Sequence, residues 1–254
     1  MRKSWLVFLL IAFIFINHTA GQQHKLFTEI LAKHIKGGLV NYKELKNDNR
    51  LDEYLNQLEN TDPDTLKRNE KLAFWINAYN AFTLTVIVDN YPIESINELH
   101  TGGRMVGHLL GKTVWDKEFI TISNKQYSLN DIEHNILRKM NEPRIHFSIV
   151  CASISCPTLR TKAFEADRIN EQLEVQAHEF INDKSKNSFD VKNRKAYLSK
   201  IFDWFDEDFG ISSDEILKYI SQFLPENTAK EINSHLSEWK LTYNDYNWNL
   251  NEIK

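Results

Sequence analysis

A histidine and two cysteines fall within one short segment, HFSIVCASISC at residues 146–156. A thiolate held near an imidazole is a nucleophile that can attack a carbonyl carbon. Residues 144–151 are rich in β-branched and apolar types and predict an inner strand, in which His146 and Cys151 point to opposite faces. We therefore expect Cys151 to be a core residue. Cys156, in the polar loop that follows, is the candidate nucleophile, with His146 as its base.

The same cysteines have a second interpretation, a disulfide between Cys151 and Cys156. The chain opens with Met1-Arg2-Lys3, continues with an uncharged apolar run and reaches small residues near Ala20, the layout of a signal peptide over residues 1–20. Because the apolar run is too short to cross a bilayer, we expect a soluble exported protein, periplasmic or secreted, without a membrane anchor. An oxidising compartment favours the disulfide, which would exclude thiol catalysis outside redox cycling.

Two asparagines interrupt an otherwise apolar helical segment over residues 70–88. Asn77 and Asn80 are three residues apart, so they share one side of a helix that should be buried. An unpaired buried amide costs about 1–3 kcal/mol, so both must face a polar partner, either a neighbouring loop or a ligand. On the ligand interpretation Asn77 is a catalytic candidate that orients the imidazole or polarises the substrate. Asn80 and the nearby Trp75 are then binding candidates.

A second histidine lies on a helix that begins at Ser128, with Asp131 three residues on as a capping partner. His134 falls on the flank of the apolar face of this helix, at the boundary between core and solvent. It is a candidate base, and it can also be a ligand or a satisfied core histidine. The remaining binding candidates are the charged and polar residues near the two histidines: Glu133, Arg138, Arg144 and Ser153.

Several functional classes lack their motifs in this sequence. It contains no His-Glu-x-x-His pattern, no paired Cys-x-x-Cys, no phosphate-cradling glycine loop and no Gly-x-Ser-x-Gly elbow. We therefore expect no metal and no cofactor. After removal of residues 1–20 the chain holds 29 basic and 35 acidic residues, a balance that argues against a nucleic-acid partner.

The elements that position these residues predict a single α+β domain over 21–254, mainly helical with a small antiparallel sheet. Hairpins are predicted around 124–125 and 192–193, and a loop is predicted over 101–111. An extended aromatic tail over 241–250 closes the chain. The other helices are predicted from apolar periodicity and caps at 26–35, 51–58, 167–181, 200–209, 216–223 and 232–239.

Ordered blocks of the chain resemble the domain of unknown function 547 family: FWINAYNA from position 74, IEH with LR from 132, RIHF through CASISCP from 144, and YLSKIF from 197. The similar region covers about 39–209 and leaves C-terminal helices and the tail at 210–254. This resemblance implies a papain-like or transglutaminase-like core. Enzymes of that kind carry the nucleophile at the start of the central helix, where this chain has Trp75 and Asn77. Either Cys156 acts from another position, or the scaffold lacks that chemistry.

Two functions remain open at this point. The first is a cysteine-dependent hydrolase or acyl transferase that uses Cys156, His146 or His134, and Asn77. The second is a non-catalytic exported module in which the Cys151–Cys156 disulfide is a structural clip. Its polar cluster would then brace the fold or bind a small molecule, a peptide or a glycan.

Overall fold

The computed structural model describes residues 24–100 and 113–254, which fold as an α+β protein dominated by helices. The α-helices are α1 (Lys25–His34), α2 (Tyr42–Leu45), α3 (Arg50–Glu59), α4 (Arg68–Asn90), α5 (Ile169–Asn182), α6 (Ile201–Trp204), α7 (Asp206–Phe209), α8 (Ser213–Ser221) and α9 (Glu226–Ser234). The strands are β1 (Ile35–Lys36), β2 (Leu39–Val40), β3 (Ile120–Ile122), β4 (Lys125–Tyr127), β5 (Ser188–Asp190), β6 (Lys195–Leu198) and β7 (Lys240–Tyr243).

The strands form two two-stranded sheets and one three-stranded sheet. The pairs β1–β2, β3–β4 and β5–β6 are antiparallel, and β7 adds to β6 in parallel. Ser123 and Asn124 both have positive φ, as the tight turn of the β3–β4 hairpin requires. The predicted fold class and both predicted hairpins are confirmed. The parallel addition of β7 comes from the tail, which returns across the molecule.

Helix α4 is the centre of the fold, and its prediction from residues 70–88 is confirmed. Within the described residues it is the single helix long and apolar enough to cross a membrane, yet 89% of its most apolar stretch is buried inside the protein. A helix that is apolar on all sides needs neighbours on all sides. Its neighbours are α2, α3, α5 and the helix that begins at Asp131, so α4 is a core helix.

Two hydrophobic clusters meet at the segment before the cysteines. The larger one surrounds α4, and the other packs Phe147 against Phe180, Phe202 and Phe209. Ile145 and Ile149 belong to the larger cluster, whereas Phe147 between them belongs to the other. Residues 145–149 are therefore wedged between the two clusters, and their backbone position is fixed from both sides.

The prediction of a strand over 144–151 is wrong. Pro143–Phe147 forms a 3₁₀-helix, with Pro143 in its first turn and the Glu142 side chain accepting the Arg144 backbone N–H. The Ser148 hydroxyl then donates to the carbonyl of Arg144. The β-branched, apolar composition reflects burial between two clusters rather than an extended backbone. Because the alternation of a strand does not apply, the expectation that His146 and Cys151 face opposite ways also fails.

The helices predicted at 26–35, 51–58, 167–181 and 216–223 are confirmed. The helix predicted over 200–209 is divided into α6 and α7 at Phe205, and the one predicted over 232–239 is replaced by α9 and a 3₁₀ turn at Leu236–Glu238. The signal peptide over 1–20 and the loop over 101–111 lie outside the described residues and stay predictions.

Candidate functional site

A cavity of about 180 Å³ opens where the two clusters meet. Its lining combines groups that can react or transfer protons with aromatic rings. The reactive groups are those of Glu133, His134, His146, Cys151 and Cys156. The aromatic residues are Tyr79, Trp115, Trp204, Phe205, Tyr246 and Trp248.

An unusual helix brings Glu133 and His134 to this cavity. Ser128 and Asp131 cap each other reciprocally, as predicted, and the helix that follows over Asp131–Leu137 has π geometry. Because a π-helix rotates less per residue than an α-helix, consecutive side chains point in more similar directions. Such turns occur often at functional sites. Here the result is that both Glu133 and His134 line the cavity.

His146 is held by a carboxylate that sequence reasoning did not select. Its Nε2 lies 2.6 Å from Oδ2 of Asp208, and Arg138 donates two hydrogen bonds to the same carboxylate. Burial opposes ionisation of Asp208, but the hydrogen bonds from His146 and Arg138 hold its pKa well below the usual range. Since the ionised Asp208 only accepts, Nε2 carries the proton, and Nδ1 of a neutral His146 is left as an acceptor.

That acceptor faces Glu133. His146 Nδ1 is 3.8 Å from Glu133 Oε1, just beyond hydrogen-bond length. Burial lowers the pKa of His146, with Asp208 acting in the opposite direction. Burial raises the pKa of Glu133 to about 7, although the Tyr79 hydroxyl donates to this carboxyl at 3.1 Å. Near neutral pH, Glu133 can therefore both give and take a proton.

The second histidine is fixed by the same arginine. Arg138 Nη1 donates to Nδ1 of His134 at 3.1 Å, so the ring proton of neutral His134 is on Nε2. Burial and the Arg138 charge both lower the pKa of His134. A neutral imidazole with its Nε2–H in the cavity wall is a hydrogen-bond donor for a substrate rather than a strong base.

The two cysteines carry free thiols but have different environments. Burial opposes the Cys151 thiolate, yet hydrogen bonds from the Cys156 thiol and from the hydroxyls of Ser153 and Tyr246 outweigh it and lower the pKa of Cys151. Cys156 is only 4% exposed, and burial followed by the neighbouring Cys151 raises its pKa well above the usual range. Cys151 is therefore the more accessible thiol and the one with the lowered pKa, whereas the predicted strand assigns it to the core.

The asparagines on α4 lie outside the cavity lining and bond to backbone. The Asn77 amide donates to the carbonyl of Phe164 and accepts its N–H. The Asn80 amide makes the same two kinds of bond with the carbonyl of Ser148 and the N–H of Val150. With its amide satisfied in this way, Asn77 has no contact that supports a catalytic role. Asn80 holds the segment that ends at Cys151.

The other predicted site residues divide into two groups. Ser153 belongs to the site because its hydroxyl contacts the Cys151 sulfur. Arg138 belongs to it because it donates to Asp208 and to His134. Trp75 is buried against Tyr127 in the core. Arg144 pairs with Glu142 and Glu174. Neither Trp75 nor Arg144 lines the cavity, because each is engaged with partners on another side of its element.

Sequence reasoning missed several site residues that are distant in the chain. Asp208 is 62 residues from His146, and Tyr246 is 95 residues from Cys151. The density of aromatic residues in the 241–250 tail was the available signal for Tyr246 and Trp248. Within residues 24–100 and 113–254, no three His, Cys, Asp or Glu side chains converge in a way that could hold a metal ion.

The fold and the cavity define an α+β protein with a thiol, a carboxyl and an oriented imidazole in one site. Residues 63–181 match the model of the family described as "Protein of unknown function, DUF547", which is the family that the sequence blocks resemble. The matched range holds Glu133, both histidines and both cysteines, while Asp208 and Tyr246 follow it. Searches of curated proteins and of solved structures gave no match. The papain-like or transglutaminase-like core is not confirmed.

Proposed function

We propose that this protein is a cysteine-dependent hydrolase or acyl transferase whose nucleophile is Cys151. The observation that carries the proposal is the Cys151 sulfur, surrounded by hydrogen-bond donors in the same cavity as Glu133 and the His146–Asp208 pair. A thiolate is the reactive form of cysteine, so donors that stabilise it increase the reactive fraction. Cys156 fits this role less well because it is buried and its pKa is raised.

The groups in the cavity suffice for acyl transfer in two steps. The Cys151 thiolate adds to a carbonyl carbon, and the tetrahedral intermediate collapses as the leaving group takes a proton from the neutral Glu133 carboxyl. The resulting thioester is then attacked by water or another acceptor, whose proton returns to the Glu133 carboxylate. His146, oriented by Asp208, presents Nδ1 to Glu133 and supports its changes of protonation. The Nε2–H of His134 can donate to the substrate.

A purely structural role explains this cluster less well. Glu133 is 7% exposed and its pKa is raised mainly by burial, so at neutral pH this carboxyl reduces stability instead of bracing the fold. Strongly shifted carboxyls beside a thiol in a cavity are typical of functional sites. The non-catalytic alternative, with the two cysteines joined as a clip, predicts no reaction at Cys151 in the native protein.

The test is acyl-enzyme formation on the full chain with p-nitrophenyl acetate and p-nitrophenyl benzoate. We expect a burst of p-nitrophenol equal to the enzyme concentration and an acyl adduct that mass spectrometry assigns to Cys151. Cys151→Ala should abolish both signals, and Cys156→Ala should retain the adduct on Cys151, with a slower burst because one donor to the Cys151 sulfur is lost. A native protein without a burst, or one with an adduct on Cys156, would contradict the proposal.

Replacing Glu133 separates the two steps. Because p-nitrophenolate leaves without a proton, Glu133→Gln should keep the burst, whereas steady-state turnover should fall by about 10² or more as deacylation loses its base. Glu207→Gln is a matched control, since Glu207 contacts Arg138 but is largely exposed. Equal turnover in the two variants would remove Glu133 from the mechanism.

Export is a separate proposal that is supported only by residues 1–20. Expression in a host with a secretory pathway should yield a mature protein in the exported fraction, with its N-terminus near Gly21. Mass spectrometry of the purified product measures this. An intact Met1 in a cytosolic product would refute export.

A further inference from the structure

Cys156 forms no covalent bond and transfers no proton in the acyl-transfer steps above, although it lies beside the nucleophile. Its Sγ accepts the backbone N–H of Cys151 at 2.7 Å, and its thiol is near enough to help lower the pKa of Cys151. Both sulfurs belong to the cavity lining, but Cys156 is nearly inaccessible while Cys151 is partly exposed. One accessible thiol in contact with one shielded thiol is the arrangement that dithiol chemistry needs.

We propose that Cys151 and Cys156 form a dithiol that exchanges with external disulfides, with Cys151 as the attacking thiol and Cys156 as the resolving thiol. The activity goes beyond acyl transfer and needs a different set of residues. The wall formed by Trp204, Tyr246 and Trp248 is aromatic. The substrate that suits this wall is an uncharged or aromatic small disulfide, or a disulfide within an apolar peptide.

The exchange balances without any further reagent. The Cys151 thiolate attacks one sulfur of R–S–S–R, the external S–S bond breaks, and one thiolate RS⁻ leaves. Cys156 then attacks the Cys151 sulfur of the mixed disulfide, and the second RS⁻ leaves with the proton of Cys156 as RSH. The protein ends as the Cys151–Cys156 disulfide. A low-molecular-weight thiol reverses both steps and restores the dithiol.

The loop between the cysteines is built to hold the two sulfurs together. Ala152 has positive φ, and the Cys156 N–H donates to the carbonyl of Ser153, so the chain turns back at once. The C-terminal tail holds the loop through two backbone hydrogen bonds. The Ile154 N–H donates to the carbonyl of Asn249, and the Asn251 N–H donates to the carbonyl of Ala152. The backbone therefore turns so that the Cys156 sulfur lies 2.7 Å from the backbone nitrogen of Cys151.

The surroundings of Cys151 favour a disulfide that is easily reduced. The hydroxyls of Ser153 and Tyr246 lie 3.1 Å and 3.2 Å from the Cys151 sulfur. They can donate to a thiolate, but they stabilise a disulfide sulfur much less. Stabilising the reduced form makes a disulfide a stronger oxidant. A permanent structural disulfide gains no stability from hydrogen-bond donors directed at one of its sulfurs. The donors around Cys151 therefore indicate a pair that cycles between dithiol and disulfide.

The first experiment adds 5,5′-dithiobis(2-nitrobenzoate) to the fully reduced native chain. We expect release of two thionitrobenzoate ions per chain and a product lighter by two hydrogens that carries no adduct. Cys156→Ala should release one ion and retain a thionitrobenzoate on Cys151. Wild-type protein with a stable adduct on Cys151, with adducts on both cysteines, or with no reaction would each overturn the proposal, and none of these outcomes depends on how a variant folds.

Two variants separate this proposal from the proposed acyl transfer. Glu133→Gln should lose ester turnover and keep the release of two ions, because neither exchange step uses the carboxyl. Cys156→Ser should lose the second ion, whereas its ester burst should form at an altered rate but with the same amplitude, because one donor to the Cys151 sulfur is changed. If Glu133→Gln also stopped at the mixed disulfide, the assignment of the resolving step to Cys156 alone would be wrong.

Discussion

Two histidine–aspartate pairs within residues 24–100 and 113–254 look alike in isolation. His34 Nε2 lies 2.7 Å from Asp48, and His146 Nε2 lies 2.6 Å from Asp208. Both rings are buried, and in each pair an arginine donates to the carboxylate, Arg50 in the first and Arg138 in the second. The chemistry of the pair itself therefore does not distinguish them.

Their surroundings do distinguish them. Asp48 is contacted by Arg50, His34 and Lys33, and these hydrogen bonds, with Arg50 foremost, hold its pKa well below the usual range. This pair ties the end of α1 to the turn before α3. The His146 pair instead borders the cavity with Glu133 and Cys151. A histidine–aspartate pair thus becomes a candidate for catalysis only where a nucleophile and space for a substrate lie beside it.

The largest expected effect distinguishes the pairs by activity. Asp208→Asn should lower ester turnover by about 10³-fold, because an amide can donate to His146 Nε2 and so favours the wrong tautomer. Asp48→Asn should leave turnover unchanged under conditions in which the protein is folded. Initial rates with p-nitrophenyl acetate measure both variants. Equal losses would mean that the two pairs act only through stability.

The second effect concerns pH, because Glu133 accompanies only the cavity pair. Between pH 4.5 and about 7 the folded protein keeps a proton on Glu133 that the unfolded chain has lost. The free energy of unfolding should therefore fall as pH rises through this range and then level off, by at most about 3 kcal/mol from this group. Urea denaturation at pH 5 and pH 8 should show a smaller fall for Glu133→Gln. Parallel curves for the two proteins would show that the pKa of Glu133 is not raised.

The third prediction compares the two pairs by stability, to which the His34–Asp48 pair should contribute more than the His146–Asp208 pair. Asp48→Asn should reduce the free energy of unfolding by about 2 kcal/mol, because a carboxylate with 5% side-chain exposure loses its charge beside Lys33 and Arg50 and its hydrogen bond with His34. Asp208→Asn should cost less, since its side chain is 22% exposed. Urea denaturation at pH 7 compares them. A larger loss for Asp208→Asn would make the cavity pair the structural one.

The smallest expected effect concerns the Tyr246 hydroxyl, which contacts the Cys151 sulfur in the cavity. Tyr246→Phe removes one hydrogen bond to Cys151, worth about 1 kcal/mol, and should slow alkylation of Cys151 by iodoacetamide about fivefold at pH 7. Tyr54→Phe is the control, because the Tyr54 hydroxyl bonds to His24 in the core. Peptide mapping of the alkylated site measures both rates. Unchanged alkylation in Tyr246→Phe would remove this hydroxyl from the activation of Cys151.

Part of the site was predictable because its signals are local. The cap formed by Ser128 and Asp131 located the helix that carries Glu133 and His134, and the segment around His146 was recognised as a site. The choice between the cysteines was not predictable. It depended on a strand over 144–151 that the structure replaces with a 3₁₀-helix, since apolar β-branched residues indicate burial and leave the backbone conformation open. The asparagines show the same limit, because burial required a partner for Asn77 but could not say that the partner was backbone.

The α+β class, the buried helix α4, the hairpins and the segments from which the site is drawn were all predictable from the residue pattern. These features follow from periodicity, caps and turn residues, in which the interacting groups are a few residues apart. The tertiary structure decided that Cys151 is the accessible thiol, that Asp208 orients His146 and that Tyr246 reaches the sulfur. Those facts depend on contacts between residues 62 and 95 positions apart. They also depend on burial, which sets the pKa of Glu133 and exists only once the chain is folded.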